Sequence, residues 1–166
     1  MIQYFAYGSN MDEEDFEKRC REKGWRTVNF KNCRAAKLDG YKLTFNYYSA
    51  SHWKAGAANI MESRRGCVYG LLFDIEEDEL ETIRKKEGYS QDCSNCYYNE
   101  VCVDVGLLSD RKVVKSVKTY KVSKCREEPD HQPPTREYMN LIIKNAGKYG
   151  FPSEYIKYLE SFSTKD

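Results

Sequence analysis

Met1-Ile2-Gln3-Tyr4-Phe5-Ala6-Tyr7-Gly8-Ser9-Asn10-Met11 opens the chain, and the remaining elements are read outward from it. Ile2 to Tyr7 has the short, apolar, aromatic-rich character of a strand. Gly8-Ser9-Asn10 is a turn. From Asp12 to Arg21 the acidic residues come first and Lys18, Arg19 and Arg21 follow, the charge order of a helix. A strand, a Gly-Ser-Asn loop and a helix start together suit an anion or a carbonyl oxygen. Glycine admits close backbone approach, and the first N–H groups of a helix point outward. Taken alone, the tripeptide reads as an ordinary tight turn; the residues around it give it more meaning.

The 166 residues are enough for one domain, residues 1–166, with a proper core. The 27 basic and 26 acidic residues are mixed along the chain and leave a net charge of +1, which argues against a nucleic-acid or membrane surface as partner. No apolar run approaches the roughly 20 residues of a membrane span. No signal peptide is recognisable, so the expectation is a cytoplasmic globular protein. Seven cysteines, an odd and scattered set, are expected as free thiols rather than a disulfide framework. Fourteen tyrosines and seven phenylalanines point to a core or pocket of aromatics with polar tips.

Beyond the first helix, Thr27 to Leu38 and Tyr41 to Tyr47 read as two strands turning at Asp39-Gly40. Ser49 to Gly56 reads as a loop and Ala57 to Glu62 as a short strand. Ser63 to Gly66 reads as a turn into the apolar strand Cys67 to Phe73. Ile75 to Lys86 has the charge order of a helix, with Asp74 as its cap and Gly88 as its stop. Tyr97 to Leu107 and Val113 to Val122 form a strand pair, and Glu127 to Pro134 an extended loop. Thr135 caps a helix to about Lys148, and Ser153 caps a last one. This pattern predicts an α+β fold, a small mixed β-barrel with helices inserted and appended.

In order along the chain, Tyr4 to Met11, Gly56-Ala57-Ala58-Asn59-Ile60, Gly66 to Phe73 and Glu87-Gly88 resemble the gamma-glutamylcyclotransferase family. The likeness continues through Tyr97 or Tyr98 before Glu100-Val101-Cys102-Val103, and through Pro133 to Tyr138. The tail from Gly147 to Leu159, with Gly-Phe-Pro-Ser-Glu-Tyr, is similar to the family's cytosolic metazoan branch. Each piece is weak alone, but the ordered set is specific and spans nearly the whole chain.

The resemblance implies a mixed α+β barrel and an enzyme that cyclises a γ-glutamyl group onto its own α-amine. The products would be 5-oxoproline and the free amine, with a small γ-glutamyl molecule as partner and neither cofactor nor metal. It places the catalytic acid/base on Glu87. A carboxylate at a helix C-terminus faces the negative end of the dipole, which disfavours its charged form and suits a base. Beside Lys85 and Lys86, Glu87 alone would read as part of a solvated face.

Tyr7, Gly8, Ser9 and Asn10 would cradle the glutamyl moiety. Tyr138, and Tyr97 or Tyr98 with the register open by one residue, would line the pocket; Tyr97 is the assignment made here. Tyr138 reads equally well as a core aromatic of its helix. Cys125 stands where the metazoan branch has a tyrosine, which bears on the leaving-group side. Cys93-Ser94-Asn95-Cys96 has the spacing of half a zinc site or a redox pair, but no second ligand pair accompanies it, and His52 and His131 are isolated. The identity of the amine, the acceptance of glutathione and the formation of a homodimer are left open. So are two rival readings: removal of a γ-glutamyl group from a biosynthetic intermediate, and a non-catalytic module for a small acidic metabolite.

Overall fold

The computed structural model describes residues 1–166. Five strands form a closed barrel in the order β1-β3-β2-β4-β5. They are β1 (Ile2–Ala6), β2 (Lys31–Ser49), β3 (Ala55–Ile75), β4 (Tyr98–Leu107) and β5 (Val113–Val122). Neighbours are antiparallel except where β5 runs parallel to β1 at Tyr4↔Lys118 and closes the ring. The helices are α1 (Glu13–Lys23), α2 (Glu77–Glu87), α3 (Arg136–Lys148) and α4 (Ser153–Glu160). The α+β barrel expected from the sequence is therefore the fold observed.

The strands around Asp39-Gly40 and Ser63–Gly66 depart from expectation. Each pair of expected strands is one long strand. Pairing jumps from Asp39↔Cys67 to Tyr41↔Glu62, so the two turn signals lie opposite each other in one ladder. Gly40, at φ 82°, supplies a left-handed residue that bends β2 without reversing it. The ladder thus has a barrel half and an arm beyond the bend, and the reversal comes at residues 50–54.

Leu71, Leu72, Phe73 and Ile75 are all buried. A half-buried strand would alternate, but here one face lines the barrel while helices and loops cover the other. Phe16 of α1 meets Phe30 edge-on at 5.1 Å, and Phe30 lies 4.6 Å from Phe73. On the arm, the proline-bearing loop is strapped to β2, with Glu128 N–H donating to Asn46 O at 2.6 Å and Gln132 N–H to Phe45 O at 2.7 Å.

Two caps differ from expectation. Asp74 belongs to β3, where Arg34 and Asn32 donate to it at 2.7 and 2.9 Å. Glu76 caps α2 instead, its N–H donating to Glu79 Oε2 at 2.8 Å. Pro152, not Ser153, precedes α4, because its fixed φ already suits a helix start. Thr135 caps α3 as expected, accepting from Tyr138 N–H at 3.1 Å.

Candidate active site

The chain leaves β1 at Tyr7 and makes a short 3₁₀ turn, Ser9–Met11, before α1 begins. The turn after Gly8 is thus separate from the helix that the sequence places directly behind it. Asp12 intervenes as the cap of α1, accepting from Asp15 N–H at 2.9 Å. Its other oxygen receives Asn145 at 2.9 Å and Lys144 at 2.8 Å, both from α3. Burial opposes the charge on Asp12, but these donors outweigh it and hold its carboxyl below the usual range. The turn is therefore anchored to α3 as well as to β1.

Gly8 has φ −115°, so backbone conformation does not explain it. Space does: a Cβ there would stand 2.9 Å from the Tyr138 hydroxyl and 3.3 Å from Ala58 Cβ. That hydroxyl accepts from Ala58 N–H at 3.2 Å, and Tyr98 donates to Ala58 O at 2.8 Å. Two tyrosines from different elements thus satisfy both sides of one backbone residue and tie β3 to α3 and β4.

Glu87 is the last residue of α2, and Gly88 at φ 63° ends the helix behind it. Asn10 Nδ2 donates to Glu87 Oε1 at 2.6 Å and to Tyr4 Oη at 2.8 Å. The Asn10 carbonyl accepts from Lys86 Nζ, which also reaches Ser9 Oγ at 3.4 Å. Lys86 thereby orients the amide so that its N–H₂ faces Glu87. Burial pushes the Glu87 carboxyl up, and Lys86, the Asn10 donor and Arg19 only partly offset it. Upstream, Arg84 grips Glu100 of β4 with two bonds of 2.8 and 2.9 Å, fixing this end of α2 to the barrel.

A cavity of about 300 Å³ brings Tyr7, Gly8, Ser9, Asn10, Glu87, Tyr97 and Tyr138 together. Tyr7 donates to Tyr120 O at 2.5 Å. Tyr97 and Tyr98 both line the cavity but differ in setting. The Tyr98 hydroxyl is bonded inside, whereas Tyr97 stands at the rim, 47 % exposed, beneath the Arg126 guanidinium at 4.5 Å. Tyr138 is both of the things the sequence allows, a core aromatic and a cavity wall.

Cavity residues that the sequence reading passes over include Tyr4, Tyr120, Arg19, Lys86, His52 and Trp53. Lys86 carried a signal in its adjacency to Glu87, but there it reads as helix-end charge. His52 comes from the β2–β3 loop and carries no local signal. Burial and the cations Arg19, Lys86, Lys23 and Lys18 lower its pKa to about 4.

Cys125 is exposed and outside the cavity lining, its thiol 3.8 Å from Asn95 Oδ1. Cys93 and Cys96 are not the free thiols expected. They are joined as a disulfide in the segment between α2 and β4, whose turn sets their Cα atoms 5.7 Å apart, within bonding range. The other five cysteines are free. No group of three or more His, Cys, Asp or Glu side chains is placed to hold a metal ion.

Residues 67–159 match the model of the AIG2-like family. A gamma-glutamylcyclotransferase of Bos taurus is 28% identical over 170 residues, covering 98% of this chain and 79% of that protein. The gamma-glutamylcyclotransferase of Homo sapiens is 25% identical with the same coverage. A solved structure of a gamma-glutamyl cyclotransferase superposes with a TM-score of 0.80 at 24% identity, over 99% of this chain and 89% of that one.

Proposed function

The chain belongs to the AIG2-like family, and from that premise we propose that it is a gamma-glutamylcyclotransferase with Glu87 as its acid/base. Its substrate would be a γ-glutamyl amino acid or amine. In this reading the glutamyl group lies between the Gly8-Ser9-Asn10 turn and Glu87, under Tyr138. The α-amine gives a proton to Glu87 and its nitrogen attacks the γ-carbonyl carbon. The carbonyl oxygen gathers negative charge, against which the Ser9–Asn10 turn and Lys86 offer donors and positive potential. Collapse breaks the amide C–N bond, and the proton held by Glu87 passes to the departing nitrogen. The products are 5-oxoproline and the free amine. Water, oxidant and covalent enzyme intermediate are not consumed or formed. Ring closure within one molecule contributes much of the rate, because the reacting atoms need only be held in a folded pose.

The observation that supports this most directly is the Asn10–Glu87 hydrogen bond at 2.6 Å, which joins the expected cradle to the expected base across one cavity. A carboxyl raised by burial is also a better base near neutral pH than a solvated one. The test is incubation with γ-glutamyl amino acids, γ-glutamyl amines and glutathione, followed by mass spectrometry. 5-Oxoproline appearing with the free amine supports the proposal. Glutamate in its place indicates hydrolysis, and no turnover of any of them leaves a binding module.

A further inference from the structure

Positive and negative residues nearly balance over the chain, yet the cavity wall is lopsided. Arg19, Lys23, Lys85 and Lys86 line it, and Glu87 is the one carboxylate among the lining residues. Arg19 and Lys23 are four residues apart on α1 and therefore share a face. The Nε and Nη1 atoms of Arg19 are buried and have no hydrogen-bond partner in the protein. Lys86 donates only to neutral oxygens, those of Ser9 and Asn10. Asp15, one turn before Arg19, lies near both cations but outside the lining.

A guanidinium with buried, unpaired N–H groups is costly, and a carboxylate matches its planar fork with two parallel bonds. The position of Arg19 says which carboxylate. Its charge lies near enough to Glu87 to act on that carboxyl, the group that would return a proton to the leaving nitrogen. A γ-glutamyl dipeptide with its glutamyl half in the cradle would carry the carboxylate of its leaving residue past Glu87, toward the wall that Arg19 and Lys23 line. Lys23 lies one helical turn further out, at the exposed rim.

Building on the cyclotransferase reading, we infer that Arg19 and Lys23 form an anion subsite for the leaving group, and that the preferred substrates are γ-glutamyl conjugates of an acidic amino acid. Arg19 takes the α-carboxylate of the leaving residue and Lys23 its side-chain carboxylate. Lys86 remains with the glutamyl half. The neutral His52 and the ring of Trp53, from the β2–β3 loop, form a further part of the wall.

The test compares γ-glutamyl-glutamate with γ-glutamyl-glutamine, near-isosteres that differ by one negative charge. Dissociation constants come from calorimetry and kcat/KM from 5-oxoproline release. The native protein should favour the glutamate conjugate by about fivefold in Kd, the upper end for an ion pair at an exposed rim. Lys23→Gln, an exposed position, should bring the two to about equal affinity, because the one ion pair that distinguishes them is gone. Arg19→Gln should weaken both, and Arg19→Lys should restore them only in part because it lacks the fork. Equal native affinities, or a preference that survives Lys23→Gln, would overturn the subsite. If the binding preference holds but neither peptide yields 5-oxoproline, the subsite stands and the cyclotransferase reading fails. If both are cyclised with equal Kd and kcat/KM, the reverse is true.

Discussion

The side-chain amide of Asn10 donates to Glu87 Oε1 at 2.6 Å, across 77 residues of sequence. That bond joins the turn after β1 to the last residue of α2. The Asn10 carbonyl is held by Lys86, so the amide has one sensible orientation, and its donor is aimed at the carboxylate. Arg84 and Glu100 fix the same end of α2 from the barrel side.

Glu87→Gln tests the proposed base directly. The amide keeps the size of the side chain but accepts no proton near neutrality. We expect kcat to fall roughly 10²–10⁴-fold while substrate affinity changes much less. Near-normal turnover in a 5-oxoproline assay would remove Glu87 from this role.

Asn10→Ala should move the acidic limb of the kcat/KM profile to higher pH. The Asn10 donor favours the charged form of Glu87, so losing it raises a carboxyl that burial has already raised. The check is a pH–rate profile of the variant beside the native protein. A limb that stays in place would mean that Asn10 does not tune the group seen in the profile.

Gly8→Ala should weaken substrate binding because its Cβ would press on the Tyr138 hydroxyl at 2.9 Å. Removing that hydroxyl with Tyr138→Phe should recover part of the loss in the double variant. Ala58 N–H would then lack its partner, so recovery should be incomplete. Calorimetric Kd values for the two single variants and the double variant give the coupling.

Gly56→Ala should destabilise the fold more than most surface changes. Its Cβ would fall 1.7 Å from the Gln132 carbonyl oxygen, where Gly56 N–H also donates to Pro133 O at 3.0 Å. Backbone on both sides must separate, so a loss of ~3 kcal/mol is expected, the upper part of the usual overpacking range. Urea midpoints measure it, and an unchanged midpoint would show that the strap is loose.

Glu100 makes part of the stability depend on acid. Burial works against its charge, but hydrogen bonds from Arg84, Lys118 and Tyr120 outweigh this and bring its pKa to about 2 from an ordinary 4.5. A depressed carboxyl contributes stability that is present above its unfolded value and lost as pH falls from 4.5 to about 2. Glu100→Gln should lower stability at neutral pH by about 2 kcal/mol, less than a fully buried pair because Lys118 stays partly in solvent. It should also lose less stability than the native protein across that acid window. Thermal melts at several pH values test both parts.

Much of the local structure was legible because its causes are local. The apolar aromatic run of β1, the charge order of α1 and α2, Gly88 behind Glu87 and Thr135 ahead of α3 each act within one turn or one strand. Asp39-Gly40 and Ser63–Gly66 were misread for the same reason. Each has true turn chemistry, but the two lie opposite each other in one ladder. The pairing continues past them and turns two local signals into a single bend.

By itself, the sequence determined the strand and helix types, the α+β barrel and the residues that resemble a cyclotransferase cradle and base. Only the tertiary structure decided what surrounds Glu87. Lys86 and Arg19 read as solvated helix charge in isolation, yet Lys86 of α2 lies over the Phe16 ring of α1 and both cations line one cavity. His52 carries no local signal, and its place depends on the β2–β3 loop, whose ends are set by the pairing of those two strands. Local preferences are set by backbone sterics and neighbouring charges along the chain. The shape and field of a cavity arise from contacts between segments far apart in sequence, which no single segment encodes.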